Sequence, residues 1–334
     1  MLDEKGVFFV AEKTDNLNKK LDVFYNPIME HNRDVTLKIL KKCNTDLKIG
    51  LPLAGSGVRA LRIYKELNNK TDLYVNDVRS NFEKDLLTSI KKNKFDKNSF
   101  KIFNTEANIF LHKNKHFDYI DVDPFGSPNK FLDSSIQCLR NKGILAVTAT
   151  DTGALAGTFK NACKRKYWAT PLKNEFMHEF GLRILISKIQ LVGCQHEKYL
   201  EPVLCYFKDH YYRIFFIMHS NRKTSERVFK ERDYYKNHGP IYTGSLGKSS
   251  FLKDLEKDSF LEQVYEESKI DTIGYYDLHK RAEKLKMKTL PKSEELIELI
   301  KNKGYSACRT HFNPHGIRTD MEEKEFEELI LQLS

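Results

Sequence analysis

The four residues Asp123-Pro124-Phe125-Gly126 place a carboxylate, a backbone carbonyl and an aromatic ring side by side. They follow a run from Phe117 to Val122 in which acidic and apolar residues alternate, as in a β-strand. Proline removes a backbone donor and glycine allows a turn, so the strand is expected to end here, at the edge where open α/β sheets bind ligands. Taken alone, the four residues are more typical of an ordinary strand ending in a turn. The neighbouring elements decide between the two interpretations.

A glycine-rich turn lies between a predicted strand and a predicted helix. The apolar run from Leu47 to Leu53 is followed by Gly55-Ser56-Gly57 and then by an amphipathic helix. This is the nucleotide-binding unit of a Rossmann-like sheet, in which glycine lets the backbone approach a ligand closely. Asp77 ends the next predicted strand, 77 − 57 = 20 residues after Gly57. In nucleotide-binding sheets, an acidic residue at this spacing accepts a hydrogen bond from a ribose hydroxyl. The spacing predicts a cofactor that contains adenosine.

The third predicted strand, Lys101 to Phe103, ends in Asn104-Thr105-Glu106-Ala107-Asn108, where a polar residue such as Glu106 would reach the edge of an adenine ring. Three strand ends of this kind would serve either a nicotinamide dinucleotide or S-adenosylmethionine. The turn lacks the third glycine of the dinucleotide fingerprint, and Asp-Pro-Phe-Gly on the fourth strand favours the methyl donor. We therefore predict an α/β protein with the Rossmann-like sheet of a class I S-adenosylmethionine-dependent methyltransferase.

The Asp-Pro-Phe-Gly residues match the needs of methyl transfer to the exocyclic amine of a base. Such an amine is a poor nucleophile because its lone pair is delocalised into the ring. Asp123 and the Pro124 carbonyl would accept its two N–H bonds and aim the lone pair at the methyl group, while Phe125 stacks on the base. Asp123, Pro124 and Phe125 are therefore the predicted catalytic residues.

Composition describes a globular protein with a modest excess of positive charge. The 334 residues are more than one compact core usually takes, so two domains are expected. The charge balance of 56 − 46 = +10 is compatible with a polyanionic partner. Six scattered cysteines form no Cys-x-x-Cys pair, so a zinc site lacks its ligands. The sequence contains neither a signal-peptide core nor a bilayer-spanning run, and a cytoplasmic location is expected.

A polar stretch that begins at Asn221 marks the predicted boundary between a sheet domain, residues 1–220, and a smaller C-terminal α+β domain, residues 221–334. A hairpin from Val203 to Met218 is expected to close the sheet, and Phe251 to Lys269 has a helical pattern. The interleaved cations and aromatics from Arg165 to Trp168 could contact RNA, with a packed loop as the alternative. A second basic cluster could contact phosphates or form a solvated helix face, and consists of Lys280, Arg281, Lys284, Lys286, Lys288 and Lys292.

Polar residues at three places in the second half have interpretations that the sequence leaves open. Asp151 follows the fifth predicted strand and could read the base or a flanking nucleotide, with a helix N-cap by Asp151 or Thr152 as the alternative. Glu179 and Arg183 have the four-residue spacing of an intrahelical ion pair. His311 lies in a block of cations and one aromatic, for which RNA contact is a minor hypothesis.

Several blocks in the same order together resemble the archaeal and eukaryotic tRNA guanine-N2 dimethyltransferases, the family named for guanine 26 of tRNA. The resemblance runs nearly from end to end. Its blocks are Phe24-Tyr25-Asn26-Pro27, Asn32-Arg33-Asp34, Gly55-Ser56-Gly57-Val58-Arg59, Asn76-Asp77, Asp121-Val122-Asp123-Pro124-Phe125-Gly126-Ser127-Pro128, Thr148-Ala149-Thr150-Asp151-Thr152, His178-Glu179-Phe180-Gly181-Leu182-Arg183, Gly239-Pro240-Ile241-Tyr242-Thr243-Gly244 and Thr310-His311-Phe312.

The resemblance implies that two methyl groups are transferred from S-adenosylmethionine to guanine 26 of tRNA, and that residues 221–334 recognise the tRNA. It implies cofactor contacts at Arg33, Arg59, Asp77 and the Glu106-Ala107 pair, beside the Gly55 turn. A cationic side chain near the methionine carboxylate is physically reasonable. A monomer without a membrane attachment is expected.

The chain departs from the family at two places. Many members carry paired cysteines ahead of the Gly-Pro block, consistent with zinc, whereas Ser220 to His238 contains none, so no metal is expected. Tyr242 stands where tryptophan is common. Two alternatives remain: a base-amine methyltransferase acting on another nucleic acid, and a non-catalytic RNA-binding protein on a methyltransferase scaffold.

Overall fold

This computed structural model describes residues 1–11, 25–43, 46–67, 71–287 and 289–333, so the predictions for Phe24 and Lys288 lie outside the described residues. The chain divides into two compact units. Unit 1 contains Met1–Thr150, Val192–Glu201 and Phe215–Ser225, and unit 2 contains Asp151–Leu191, Pro202–Ile214 and Glu226–Ser334. The chain passes between the units several times, the last time five residues beyond the boundary predicted after Ser220. The functional division into residues 1–220 and 221–334 stays a prediction.

The main sheet has seven strands in the order β5-β4-β3-β6-β7-β9-β8. After a two-stranded ribbon of β1 (Leu2–Glu4) and β2 (Val7–Phe9), its strands are β3 (Leu47–Leu51), β4 (Thr71–Asn76), β5 (Phe100–Phe103), β6 (Phe117–Val122), β7 (Leu139–Ala149), β8 (Lys198–Lys208) and β9 (Tyr211–Ser220). The pairs β5-β4, β4-β3, β3-β6 and β6-β7 are parallel. The link from β8 to β9 has two residues, which only an antiparallel pair allows. The predicted α/β sheet and its closing hairpin are confirmed.

Helices alternate with the parallel strands, because a parallel pair needs a long crossover connection. They are α1 (Glu30–Lys42), α2 (Val58–Glu66), α3 (Phe82–Asn93), α4 (Ala107–Lys113) and α5 (Asn129–Cys138). Strands and helices meet in an apolar core that includes Ile49, Leu61, Leu73, Leu86 and Ile120, all fully buried. Because parallel strands point the same way, this arrangement brings the carboxyl ends of β3 to β7 to one edge of the sheet.

The remaining elements build the rest of unit 2 and the connections to it. They are α6 (Thr152–Leu155), α7 (Lys160–Tyr167), α8 (Met177–Cys194), α9 (Arg222–Ser225), α10 (Arg227–Lys230), β10 (Arg232–Tyr235), β11 (His238–Tyr242), α11 (Ser249–Leu252), α12 (Ser259–Glu267), β12 (Tyr276–Asp277), α13 (Leu278–Lys284), α14 (Ser293–Asn302), β13 (Ala307–Thr310), β14 (Asn313–Thr319) and α15 (Glu323–Leu331). Strands β12, β14 and β13 form an antiparallel sheet. Leu278, Leu296, Ile317 and Phe326 pack helices α13, α14 and α15 against it. The C-terminal region is α+β, as predicted.

The prediction of one continuous helix from Phe251 to Lys269 is wrong. The structure has two shorter helices, α11 and α12, because Asp258 starts a new one. Its carboxylate accepts a hydrogen bond from the Leu261 backbone N–H at 2.9 Å, which satisfies a donor of the first turn of α12. No helix in the described ranges is both long and apolar enough to cross a membrane.

Candidate active site

The turn after β3 depends on glycine. Gly57, which caps α2, has φ = 78°, and the backbone of Gly55 is also left-handed at φ = 58°. The Gly57 N–H donates to the Ala54 carbonyl at 2.8 Å, which closes the turn. A Cβ atom added to Gly57 would lie 2.6 Å from Cδ1 of Leu86. The left-handed backbone favours glycine at this position, and any Cβ atom would displace the Leu86 methyl group.

The side chain of Asp77 holds the glycine turn in place. One carboxylate oxygen accepts the Gly55 N–H at 2.8 Å, and the other accepts the Arg79 N–H at 3.0 Å. The predicted neighbours Gly55 and Asp77, at the ends of β3 and β4, are therefore in direct contact. Each carboxylate oxygen can accept more than one hydrogen bond, so Asp77 keeps the capacity to bind a hydroxyl group.

Asn76 joins three strand ends, a role that the sequence analysis missed. Its buried amide donates to the carbonyls of Pro52 at 2.9 Å and Thr105 at 3.0 Å, and accepts the Thr105 N–H at 3.1 Å. These partners follow β3 and β5, the two neighbours of β4. The sequence signal that could have indicated this role is the position of Asn76. It ends a buried strand and directly precedes Asp77, the acid predicted to bind a ribose hydroxyl.

Glu106 occupies the N-cap of α4. Its carboxylate accepts the backbone N–H groups of Asn108 at 2.7 Å and Ile109 at 3.1 Å, and the Asn108 side-chain amide at 3.0 Å. Ala107 is buried at the start of the helix. The structure thus places the pair at the end of β5, as predicted, and adds a capping function for the carboxylate. Its cofactor contact stays a prediction.

Arg59 links the glycine turn to Asp123. Its Nη2 atom donates to Oδ2 of Asp123 at 2.5 Å and to Oδ1 of Asn32 at 2.9 Å. Its Nη1 atom donates to the Thr36 hydroxyl at 2.9 Å and lies 3.4 Å from Oδ2 of Asp121. The guanidinium is buried, so these contacts fix its position. Strands β3 and β6 are neighbours, and this adjacency brings the first turn of α2 beside the end of β6.

Two carboxylates share the charge of Arg59. The side chain of Asp121 is 1% exposed and also accepts the Tyr119 hydroxyl at 2.6 Å, whereas that of Asp123 is 22% exposed. Among the described residues, only Arg59 is within hydrogen-bonding distance of the Asp123 carboxylate, through Oδ2. The second oxygen, Oδ1, is therefore available to a ligand.

The residues after Asp123 form a turn anchored to β7. Gly126 has φ = 81°, donates its N–H to the Thr150 hydroxyl at 2.7 Å and accepts the Thr150 N–H at 2.9 Å. Pro124 is buried, and no described residue donates to its carbonyl. Phe125 is 52% exposed, although it is a large apolar side chain. A carboxylate oxygen and a carbonyl to which no described residue donates, and a half-exposed aromatic ring, thus follow one another directly after β6.

Arg33 lies in a different cluster from Arg59. Its guanidinium binds both carboxylate oxygens of Glu4, which also accepts hydrogen bonds from Arg62 at 2.9 Å and the Tyr25 hydroxyl at 2.8 Å. Burial raises the pKa of Glu4, but the hydrogen bonds and charge of Arg33 outweigh it, so the pKa lies below its usual value. Burial and Glu4 raise the pKa of Tyr25 to about 12. The predicted cofactor contact of Arg33 therefore stays a prediction, for a side chain that already has a carboxylate partner.

Asp151 begins unit 2, and its carboxylate binds side chains of α7. It accepts the Tyr167 hydroxyl at 2.6 Å and the Lys166 ammonium at 2.9 Å. It occupies the N-cap position of α6 without donating or accepting a capping hydrogen bond through its side chain. Asp151 therefore lies at the predicted N-cap position, but its side chain does not cap the helix.

Glu179 is the centre of a buried charge network within unit 2. It accepts Arg183 Nε at 2.8 Å, as the four-residue spacing predicted, and also Arg318 Nη2 at 2.7 Å and the Gly274 N–H at 3.0 Å. Full burial raises the pKa of Glu179, but the charges of Arg318 and Arg183 outweigh it and lower the pKa to about 2. The network is a structural feature of unit 2.

Three cations of the basic cluster in the C-terminal region, Lys280, Arg281 and Lys284, are paired with acidic side chains. Lys284 lies 2.7 Å and Arg281 2.9 Å from Glu327, and both also contact Glu323. Charge in the sequence alone could not have distinguished these paired cations from unpaired ones.

The His311 side chain is also paired with an acidic side chain of the same protein, Glu267. It is 2% exposed, and its Nδ1 atom lies 2.6 Å from Oε1 of Glu267. Within the described ranges, no group of three or more His, Cys, Asp or Glu side chains is arranged to hold a metal ion.

Comparison with known proteins identifies the sequence family. A family model described as N2,N2-dimethylguanosine tRNA methyltransferase matches residues 5–238 and 231–331. The tRNA (guanine(26)-N(2))-dimethyltransferase of Methanocaldococcus jannaschii is 33% identical, with 99% of this chain and 98% of that protein covered. The tRNA (guanine(26)-N(2)/guanine(27)-N(2))-dimethyltransferase of Aquifex aeolicus is 32% identical, with 97% and 93% covered.

A solved structure has the same fold over nearly the full length. It is the complex of Trm1 from Pyrococcus horikoshii with S-adenosyl-L-methionine, which superposes with a TM-score of 0.86 at 28% identity. The superposition covers 96% of this chain and 97% of the other.

Proposed function

Since this chain belongs to the N2,N2-dimethylguanosine tRNA methyltransferase family, we propose that it transfers two methyl groups from S-adenosylmethionine to the N2 amine of guanine 26 in tRNA. The observation that carries the proposal is the end of β6. There no described residue donates to Oδ1 of Asp123 or to the carbonyl of Pro124, and the adjoining ring of Phe125 is half exposed. A carboxylate, a carbonyl and a stacking ring are what an aromatic amine needs to become a nucleophile.

The residues at the neighbouring strand ends fit S-adenosylmethionine. Gly55 and Gly57 have no side chains, so a ligand can approach the turn closely at these two positions, and the Asp77 carboxylate beside it has remaining capacity for ribose hydroxyls. Glu106 and Ala107 lie at the end of β5, the next strand, where the adenine edge would be reached. The bound cofactor supplies an activated methyl group on a sulfonium.

The protein side chains orient the base and accept its protons. Phe125 stacks on the guanine ring, while Asp123 Oδ1 and the Pro124 carbonyl accept the two N–H bonds of the amine. This pulls the nitrogen towards tetrahedral geometry and directs its lone pair out of the ring plane. When the nitrogen gains a methyl group, its surplus proton leaves along the hydrogen bond to Asp123 Oδ1. Because the target lies within folded RNA, the base must first be extruded, at a cost of a few kcal/mol.

Nucleoside analysis tests the proposal. A tRNA transcript incubated with enzyme and donor is digested, and dimethylguanosine is expected. A transcript with adenosine at position 26 is the control and should remain unmodified; modification at position 27 would match the specificity named for the Aquifex relative. Methyladenosine would instead support the alternative base-amine methyltransferase. Absence of product despite cofactor binding would support the non-catalytic alternative.

Other parts of the proposal concern the whole molecule. We propose that residues 221–334 contribute to tRNA recognition by shape and phosphate contacts, since A-form RNA is read chiefly in that way. The enzyme is proposed to act in the cytoplasm as a monomer without a bound metal ion. Light scattering and metal analysis of the purified protein test the last two statements.

A further inference from the structure

Helix α7 in unit 2 has a strongly basic and exposed surface. Its eight residues include Lys160, Lys164, Arg165 and Lys166, all exposed, and no acidic residue. Lys166 pairs with Asp151. No described residue forms an ion pair with Lys160, Lys164 or Arg165. Because like charges on one short helix repel each other, such a surface favours a polyanionic partner.

The basic cluster around α13 differs in this respect. Lys280 lies 3.4 Å from Glu175, and Lys284 lies 2.7 Å from Glu327. Lys303, at the end of α14, lies 3.8 Å from Glu325. These cations already have acidic neighbours, so a phosphate would have to compete for them. The comparison favours α7 as the phosphate-binding surface.

Large aromatic side chains lie at both ends of α7. Phe159 at its start is 62% exposed, and Trp168 directly after its last residue is 56% exposed. The Lys188 ammonium covers part of the indole, 2.7 Å from the ring centroid. The backbone of Trp168 is left-handed, with φ = 56°, which turns the chain away from the helix there. Exposed aromatic rings beside cations are typical of surfaces that stack bases and bind phosphates.

We propose that this α7 surface binds the tRNA substrate, with Lys160, Lys164 and Arg165 contacting phosphates and Trp168 stacking on an unpaired base. The inference rests on the proposed function, because it names where the same RNA is held. It places part of tRNA recognition before residue 221, in the sheet-domain portion of the sequence. Residues of unit 2 on both sides of that boundary then contribute to recognition.

A triple charge variant tests the phosphate contacts. In the α7 variant, Lys160, Lys164 and Arg165 are each replaced by glutamine, and the dissociation constant for a tRNA transcript is measured from 50 to 200 mM salt. The logarithm of the association constant falls with the logarithm of the salt concentration. Each lost phosphate contact makes this slope less steep by about 0.7–0.9, so the loss of three contacts makes it less steep by about 2.1–2.7. Over this fourfold range of salt, the wild-type protein should lose about 20- to 40-fold more affinity than the variant.

A second triple variant controls for net charge. It replaces Lys280, Lys284 and Lys303 by glutamine, which removes the same three charges from exposed side chains that are paired with glutamates. Its salt slope should match that of the wild-type protein. Thermal unfolding of both variants establishes that they are folded.

Trp168 is tested separately because stacking does not depend on salt. Trp168→Asn, a residue that tolerates a left-handed backbone, should weaken binding about 5- to 150-fold at every salt concentration, the loss expected for one stacked base. The slope should not change. Trp168→Phe keeps a ring and should restore most of the affinity.

The outcomes separate this inference from the proposed function. A folded α7 variant with the wild-type slope and affinity overturns the inference, and the proposed function stands if that protein still produces dimethylguanosine. A reduced slope in the α7 variant, together with wild-type protein that binds tRNA but methylates none, supports the RNA-binding surface and overturns the proposed function. Wild-type protein that neither binds nor methylates tRNA overturns both.

Discussion

Replacing Asp123 by asparagine changes the proposed amine acceptor with almost no change in shape. Arg59 can only donate hydrogen bonds, so it will select the amide oxygen of the new side chain. The amide nitrogen then takes the position of Oδ1 and presents N–H bonds to the substrate amine. The Arg59 contact observed at 2.5 Å therefore fixes the orientation of the substituted side chain.

The expected loss of activity follows from this orientation. A hydrogen bond to a charged acceptor contributes about 1.5–3 kcal/mol, and leaving donors to face each other costs about 1–3 kcal/mol more. Together this raises the activation barrier by about 2.5–6 kcal/mol, since the bond strengthens as charge develops on the amine. At 1.36 kcal/mol for each tenfold change, kcat should fall about 10²- to 10⁴-fold.

Single-turnover methylation with a labelled donor measures this rate, and calorimetry with S-adenosylmethionine measures cofactor affinity, which should change little. Asp72→Asn is the matched control. Asp72 lies in β4, 57% exposed and paired with Lys101 across the surface, where the same chemical change should leave the rate unaltered. A rate for Asp123→Asn within about threefold of wild type would refute the assignment of this carboxylate.

Three further predictions concern stability and the cofactor turn. Arg59→Met leaves the buried Asp121 carboxylate without its cation and should lower the free energy of unfolding by about 3–5 kcal/mol in urea titrations, with partial recovery on adding Asp121→Asn. Gly57→Ala meets Leu86 and a left-handed backbone, so it should cost about 1–3 kcal/mol and weaken cofactor binding in calorimetry. Glu179, with a pKa near 2 against its usual 4.5, should stabilise the fold fully above pH 4.5. That contribution, about 3 kcal/mol, should be lost as pH falls from 4.5 to 2, and Glu179→Gln should remove this part of the pH dependence in circular dichroism.

Contrary results for these variants are equally definite. An Arg59→Met protein as stable as wild type would mean that the Asp121 carboxylate does not depend on that cation. Undiminished stability of Gly57→Ala would mean that the turn can relax away from its left-handed backbone. An unchanged acid-unfolding profile in Glu179→Gln would assign the pH dependence to other carboxylates.

Local sequence patterns predicted the sheet edge because each feature depends on neighbouring residues. A glycine turn, an acid at the end of the next strand and a proline-glycine turn are all local, and parallel strands bring their ends together by topology. The contact of Arg59 with Asp123 was not predictable in this way. It joins residues 64 positions apart and requires that β3 and β6 be neighbours.

The alternation in β6 also has a different cause from the one expected. Alternating acids usually mark the solvent face of a strand. Here all six residues of β6 are buried, and both acids bind other parts of the protein. Asp118 accepts the Lys48 backbone N–H at 2.8 Å, and Asp121 contacts the Arg59 guanidinium. A pattern of polarity cannot distinguish an acid that faces water from one that faces a cation. The same limit explains why the paired cluster on α13 and the exposed one on α7 look alike in sequence.

The geometry at Asp123 constrains how two methyl groups could be added in succession. In the proposed site, Arg59 occupies Oδ2, which leaves Oδ1 and the Pro124 carbonyl as the acceptors for the substrate amine, and the first methylation removes one of its two N–H bonds. The carboxylate is the stronger acceptor, so the remaining N–H should stay with Oδ1, and the new methyl group should point towards the Pro124 carbonyl. The second transfer then depends on Asp123 alone. Asp123→Asn should consequently slow the second methylation at least as much as the first, and the variant should accumulate monomethylguanosine where the wild-type enzyme forms the dimethylated base.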